Sequence, residues 1–125
     1  MALETIDSPM SDPSTKLDLY RQAVWQFLTQ YTGQSDDRES IETQPIFDRG
    51  ADRYLILNMG WRGQERVYGV LIHLEIRAGK VWIQRNQTER EIEAELMALG
   101  IPQEDIVRGL IPPEYRVLAG LESGV

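Results

Sequence analysis

The chain has no cysteine, one histidine (His73) and only two lysines (Lys16 and Lys80). Without cysteine there is no disulfide framework, no thiol nucleophile and no Cys-ligated zinc. With His73 alone, a histidine-rich metal site is excluded too. Apolar runs are only a few residues long, so none spans a bilayer. The opening also lacks the basic-then-apolar order of a secretory signal. These scarcities predict a reduced, cytoplasmic protein with no membrane segment. Positive charge is also short: 13 bases face 20 acids, giving −7 and a pI near 4.7. A domain that grips nucleic acid alone needs a basic face to displace counterions, so direct nucleic-acid binding is not expected. The bases that are present are almost all arginine, which suits planar hydrogen bonding at interfaces.

What is present fits one soluble domain: 125 residues, 42% hydrophobic and 26% charged. Residues 1–14 carry Pro9, Pro13, serines and acids with little apolar periodicity and read as a flexible tail. Residues 15–118 hold the patterned region, and residues 119–125 read as a C-terminal tail. Leu17, Tyr20, Val24, Phe27, Leu28 and Tyr31 recur at helical spacing, which predicts a helix over Thr15–Thr32. Gly33–Ser40 is a polar connector. A second helix is expected over Glu89–Leu99, with Thr88 and Glu91 at capping-box spacing and Gly100-Ile101-Pro102 as its stop.

Between the helices the period changes to two. Ile41–Asp48, Arg53–Arg62, Glu65–Arg77 and Lys80–Asn86 read as strands joined by turns of hairpin length. The fold class expected is therefore α+β: a two-layer domain with a four-stranded antiparallel meander flanked by an N-terminal and a C-terminal helix. Two-residue loops at Gly63-Gln64 and Ala78-Gly79 pair Leu57 with Val70, Leu55 with Ile72, Leu74 with Ile83 and His73 with Gln84. That register places Leu55, Leu57, Met59, Val70, Ile72, Leu74, Ile76, Val81 and Ile83 beneath the helices. The opposite face then carries Tyr54, Ile56, Leu71, His73, Trp82 and Gln84. Large apolar groups mixed with a few polar ones make this a candidate partner interface, with Trp82 as its anchor. The alternative is a second core covered by the segment from Pro102 onward.

Several segments together resemble the XisI family, the fdxN-element excision controlling factors of filamentous cyanobacteria. They are Gln44-Pro45-Ile46-Phe47-Asp48, Asp52-Arg53-Tyr54-Leu55, Gly60-Trp61, Arg66-Val67-Tyr68-Gly69, His73-Leu74 and Gly79 through Arg85. Thr88-Glu89, Gly100-Ile101-Pro102, Asp105-Ile106-Val107 and Pro112-Pro113 with Arg116 continue the pattern. The resemblance implies an XisI-like fold, a role in controlling site-specific excision of a DNA element, and a XisH-like companion protein. It implies no catalytic residues.

The residues themselves offer little chemistry. His73 lies mid-strand without a serine motif, and is expected to hydrogen-bond across the sheet to Gln84 or Tyr54. Gly60, Gly63 and Gly69 form no phosphate loop, and no cofactor or metal pattern is present. Arg53, Trp61, Arg62, Arg66 and Arg85 form a candidate basic and aromatic patch, since arginine interleaved with aromatics stacks bases. The expectation is a non-enzymatic controlling or adaptor factor that binds a XisH-like protein or a second copy of itself. The alternatives are a nucleic-acid-binding accessory of recombination and an antitoxin-like inhibitor of a nuclease-fold companion.

Overall fold

The computed structural model describes residues 13–33 and 40–118. Of the expected N-terminal tail, residues 1–12 lie outside the described residues, as do the C-terminal tail and residues 34–39 of the polar connector, whereas Pro13 and Ser14 belong to the first helix. The order is α1 (Pro13–Gly33), β1 (Ser40–Asp48), β2 (Arg53–Arg62), β3 (Glu65–Arg77), β4 (Lys80–Asn86), α2 (Ile92–Ala98), β5 (Ile106–Arg108) and α3 (Pro113–Leu118). The strands form one sheet in sequence order, antiparallel except that β5 runs parallel to β4. The α+β class and the β1–β4 meander match the sequence reading. β5 and α3 extend it, because the proline-broken C-terminal segment returns to the sheet edge.

Local chemistry accounts for the element ends. Ala78 and Gly79 both adopt positive φ, 49° and 77°, as a tight two-residue hairpin with right-handed twist demands. Helix α2 ends in a Schellman motif: the Ile101 N–H donates to Leu96 O at 3.1 Å and the Gly100 N–H to Met97 O at 3.0 Å, with Gly100 at φ 107°. Its start differs from expectation. Thr88 makes no capping box, because its hydroxyl donates to Asn86 Oδ1 and accepts from the Arg90 N–H in a preceding turn. The helix therefore begins at Ile92 instead of Glu89.

α1 lays Tyr20, Ala23, Val24, Phe27 and Leu28 on one face of the sheet, beside Ile92 and Leu96 of α2. At the β1–β2 turn, Arg21 grips Asp52 with two hydrogen bonds, at 2.7 and 3.0 Å, and the Tyr54 hydroxyl donates to the same carboxylate at 2.9 Å. The Arg21 hydrogen bonds hold the Asp52 carboxyl below its ordinary value, overcoming burial. Burial, with Asp52 alongside, pushes the Tyr54 phenol up to about 12.

The face assignment needs correction, and the cause is two β-bulges. Between β2 and β3 the register runs Ile56↔Ile72 and then Leu57↔Val70, leaving Leu71 as the extra residue. Between β3 and β4 it runs Leu74↔Ile83 and then His73↔Arg85, leaving Gln84 extra. Both two-residue hairpins form as expected, yet each bulge shifts the phase beyond it. Tyr54 and Ile56 therefore lie in the helix-side core at 3% and 0% exposure, and Leu71 packs against that core. Leu55, Leu57, Met59 and Val70 turn to the opposite face and are only half-buried.

Candidate interaction surface

The face away from α1 divides into two regions. Over β4 and β5 it is closed by α3. Trp82 sits there between two guanidinium groups, Arg116 at 5.3 Å and Arg77 at 5.6 Å from its ring. Val107, beside Trp82 in the parallel pair, is fully buried. Arg116 is buried as well, and donates to Arg108 O at 3.3 Å. The expected anchor is thus stacked within its own chain, and the C-terminal segment covers this part of the sheet.

At the centre lies Glu75, a carboxylate only 5% exposed. Arg77 Nε donates to it at 2.7 Å, His73 Nε2 lies 2.8 Å away and Arg53 Nε 3.5 Å away. Burial raises its pKa, but the hydrogen bonds from Arg77 and His73 outweigh that and hold it below the ordinary carboxylate value. His73 therefore bonds along its own strand to Glu75, not across the sheet to Gln84 or Tyr54. The bulge at Gln84 puts Arg85 opposite His73 instead.

Over β1–β3 the face has no covering element among the described residues. The pairing aligns it in rows: Asp48–Arg53–Glu75, Ile46–Leu55–His73, Gln44–Leu57–Val70, Glu42–Met59–Tyr68 and Ser40–Trp61–Arg66. Ile46 is 46% exposed, Trp61 49% and Tyr68 66%. With Leu55, Leu57, Met59 and Val70 between them, they make a contiguous apolar surface of the kind that marks an interaction site. Arg66 stacks over both aromatic rings at the far end, 5.2 Å from Trp61 and 5.9 Å from Tyr68.

The sequence-predicted residues are thereby redistributed. Of the expected interface set, His73 and Trp82 lie on this face, Gln84 sits at a bulge beside Gly109, and Tyr54, Ile56 and Leu71 belong to the core side. Of the basic and aromatic patch, Trp61, Arg62 and Arg66 gather at the β2–β3 tip. Arg53 lies at the other end of β2, near Glu75, and Arg85 lies opposite His73, its Nε donating to Val70 O at 2.7 Å. Tyr68 and Leu57 were missed. Tyr68 was findable, since it lies two residues from Arg66 on the same strand face.

Two other features complete the surface. A cleft of about 450 Å³ between α1 and the β1–β2 turn is lined by Arg21, Gln22, Trp25, Phe47, Arg49 and Tyr54. Its guanidinium groups are already paired, Arg21 with Asp52 and Arg49 with Asp18. Among the described residues, no group of three or more histidine, aspartate or glutamate side chains is placed to hold a metal ion, and no helix is long and apolar enough to cross a membrane.

The family model for the XisI protein matches residues 14–122. The chain belongs to the XisI family. Two solved structures from Anabaena variabilis share its fold. A XisI-like protein is 39% identical with a TM-score of 0.75, over 80% of this chain and 91% of that one. The fdxN element excision controlling factor XisI is 35% identical with a TM-score of 0.72, over 82% of this chain and 94% of that one. No curated protein sequence matches the chain.

Proposed function

We propose that this XisI-family protein controls excision of a DNA element by binding a companion protein, without catalysing a reaction itself. The observation that carries the reading is the uncovered apolar surface of β1–β3, centred on Leu57 and Val70. A sheet face that a folded chain leaves half-wet over three strands is useful for docking and serves no described catalytic arrangement. The companion in this reading is a XisH-like protein. In this reading the protein is cytoplasmic.

The test mixes the full chain with a purified XisH-like companion and follows binding by calorimetry and excision in a reporter strain. Leu57→Glu and Tyr68→Glu are expected to abolish binding and excision control together. Wild-type binding and excision by both variants would refute the reading.

A second reading has one observation in its favour, the Trp61–Arg66–Tyr68 stack, which could receive bases. Against it stands the net charge of −7. The expected result is no submicromolar binding of duplex DNA at physiological salt. Tight binding weakened by Arg66→Ala would favour this second reading instead.

A further inference from the structure

The uncovered surface is self-complementary. Its centre row is Gln44–Leu57–Val70, with two rows on either side. A two-fold axis lying along that row, across the strands, lays one copy on another with the row order reversed. Leu57 then meets Leu57 and Val70 meets Val70. Leu55 meets Met59, His73 meets Tyr68 and Arg53 meets Trp61. Arg66 of one copy comes to the Asp48–Glu75 end of the other, while Asp48 meets Ser40. Apolar groups thus face apolar groups and a guanidinium faces an aromatic ring, while the Glu75 carboxylate is already held by Arg77, His73 and Arg53 of its own chain. The one poor match is Ile46 against Glu42. An axis along the strands would instead keep the rows in register and exchange β1 with β3, setting Arg53 on Arg53, Trp61 on Trp61 and Asp48 on Glu75.

Shape agrees with the apolar match. β4 ends at Asn86, opposite Ile72, so the far part of β3 has no strand on that side. The two-fold places α3 of each copy, which stands above β4 and β5, beside that free edge of β3 in the other. Three strands by five rows, at about 4.8 Å between strands and about 6.8 Å between like-facing residues, give a flat footprint of roughly 500 Å² per copy. Side-chain relief and the flanking α3 contact raise this toward the ~800 Å² per partner of a stable interface.

We infer that the surface of β1–β3 is the interface of a symmetric dimer, two copies packed face to face about Leu57 and Val70. The inference rests on the reading of this surface as a docking site, and names its occupant as a second copy of the chain. The two copies then cover Leu57 and Val70, so a companion meets the dimer elsewhere and Leu57→Glu acts on companion binding through loss of the dimer.

The absence of cysteine makes a clean test possible. Sedimentation equilibrium of the full chain at micromolar concentration is expected to give twice the 14.4 kDa chain mass. Leu57→Glu, and separately Arg66→Glu at the exposed tip, should weaken association by roughly tenfold or more while leaving cooperative melting in place. Packed sheets lie ~10 Å apart, so Leu57→Cys should be joined across the axis by a short bismaleimide. Glu104→Cys, on the α1 side, should not. A monomer at these concentrations, or Leu57→Cys cross-linking no better than Glu104→Cys, overturns the inference. If that monomer binds a XisH-like companion through Leu57, self-association fails and the proposed function stands. A dimer without any companion or effect on excision gives the reverse.

Discussion

Ile56 and Leu57 are neighbours of nearly equal hydrophobicity on opposite faces of β2, and the Leu71 bulge in β3 decides which of the two joins Ile72 beneath the helices. Ile56 is fully buried beneath α1, whereas Leu57 is half-exposed on the other side. Replacing Ile56 with alanine removes three carbons from a site with no solvent contact. The transfer cost alone is about 2.4 kcal/mol at ~0.8 kcal/mol per methylene, and the unfilled cavity takes the total to about 3–4 kcal/mol. Leu57→Ala removes as many carbons from a surface already half in water and should cost about 1 kcal/mol or less. Urea unfolding with a common slope measures both. It should be done on dilute protein and repeated at higher concentration, since association through Leu57 would add a concentration-dependent stabilisation. The dilute-limit order Ile56 ≫ Leu57 is the prediction. An equal or greater loss for Leu57→Ala would mean that β2 and β3 pair without the bulge, and the face assignment would reverse.

Asp52→Asn should flatten the acid limb of the stability profile. The folded-state pKa of Asp52 is lowered, so its contribution is present above the ordinary value of 3.8 and is lost as pH falls through the lower folded value. Denaturation midpoints from pH 7 down to acid check this, and an unchanged acid limb would contradict it. Gly60→Ala should loosen the β1–β2 arm, because the added Cβ would lie 2.0 Å from Ser40 O and 2.6 Å from Ile41 Cα. Hydrogen exchange should show lost protection at Ser40–Thr43 while Ile72–Ile76 stay protected; full protection at both would refute the close approach.

Much of the fold was legible because its signals are local. The 3.6-residue stripe of α1, the Ala78-Gly79 hairpin and the Gly100 stop each follow from a few adjacent residues. The bulges were not. Nothing in Val70-Leu71-Ile72 marks an inserted residue, since Leu55–Leu57 and Val70–Ile72 are apolar at consecutive positions, and in Ile83-Gln84-Arg85 two consecutive polar residues leave the phase of β4 equally open. A period-two reading needs one polar face to fix its phase, and here both faces are apolar. Trp82 escaped for a different reason. Its partners Arg77 and Arg116 are far apart in sequence and meet only through the parallel return of β5 and the turn into α3.

That same ambiguity carries functional meaning. A chain that covers one side of its sheet with helices needs apolar residues on that side alone, yet β2 alternates Leu55, Leu57, Met59 and Trp61 on the other. Trp61 at 49% and Tyr68 at 66% exposure leave roughly 200–270 Å² of aromatic surface in water between them. At about 25 cal/mol per Å², covering it would yield about 5–7 kcal/mol, comparable to the whole stability of many domains. Arg66 stacks on both rings from one side and recovers only part of this. The chain has the means to close such a surface, as α3 does over Trp82 and Val107 a few strands away. Among the described residues the face is closed over β4 and β5 and open over β1–β3, and the open part is where we place a second chain.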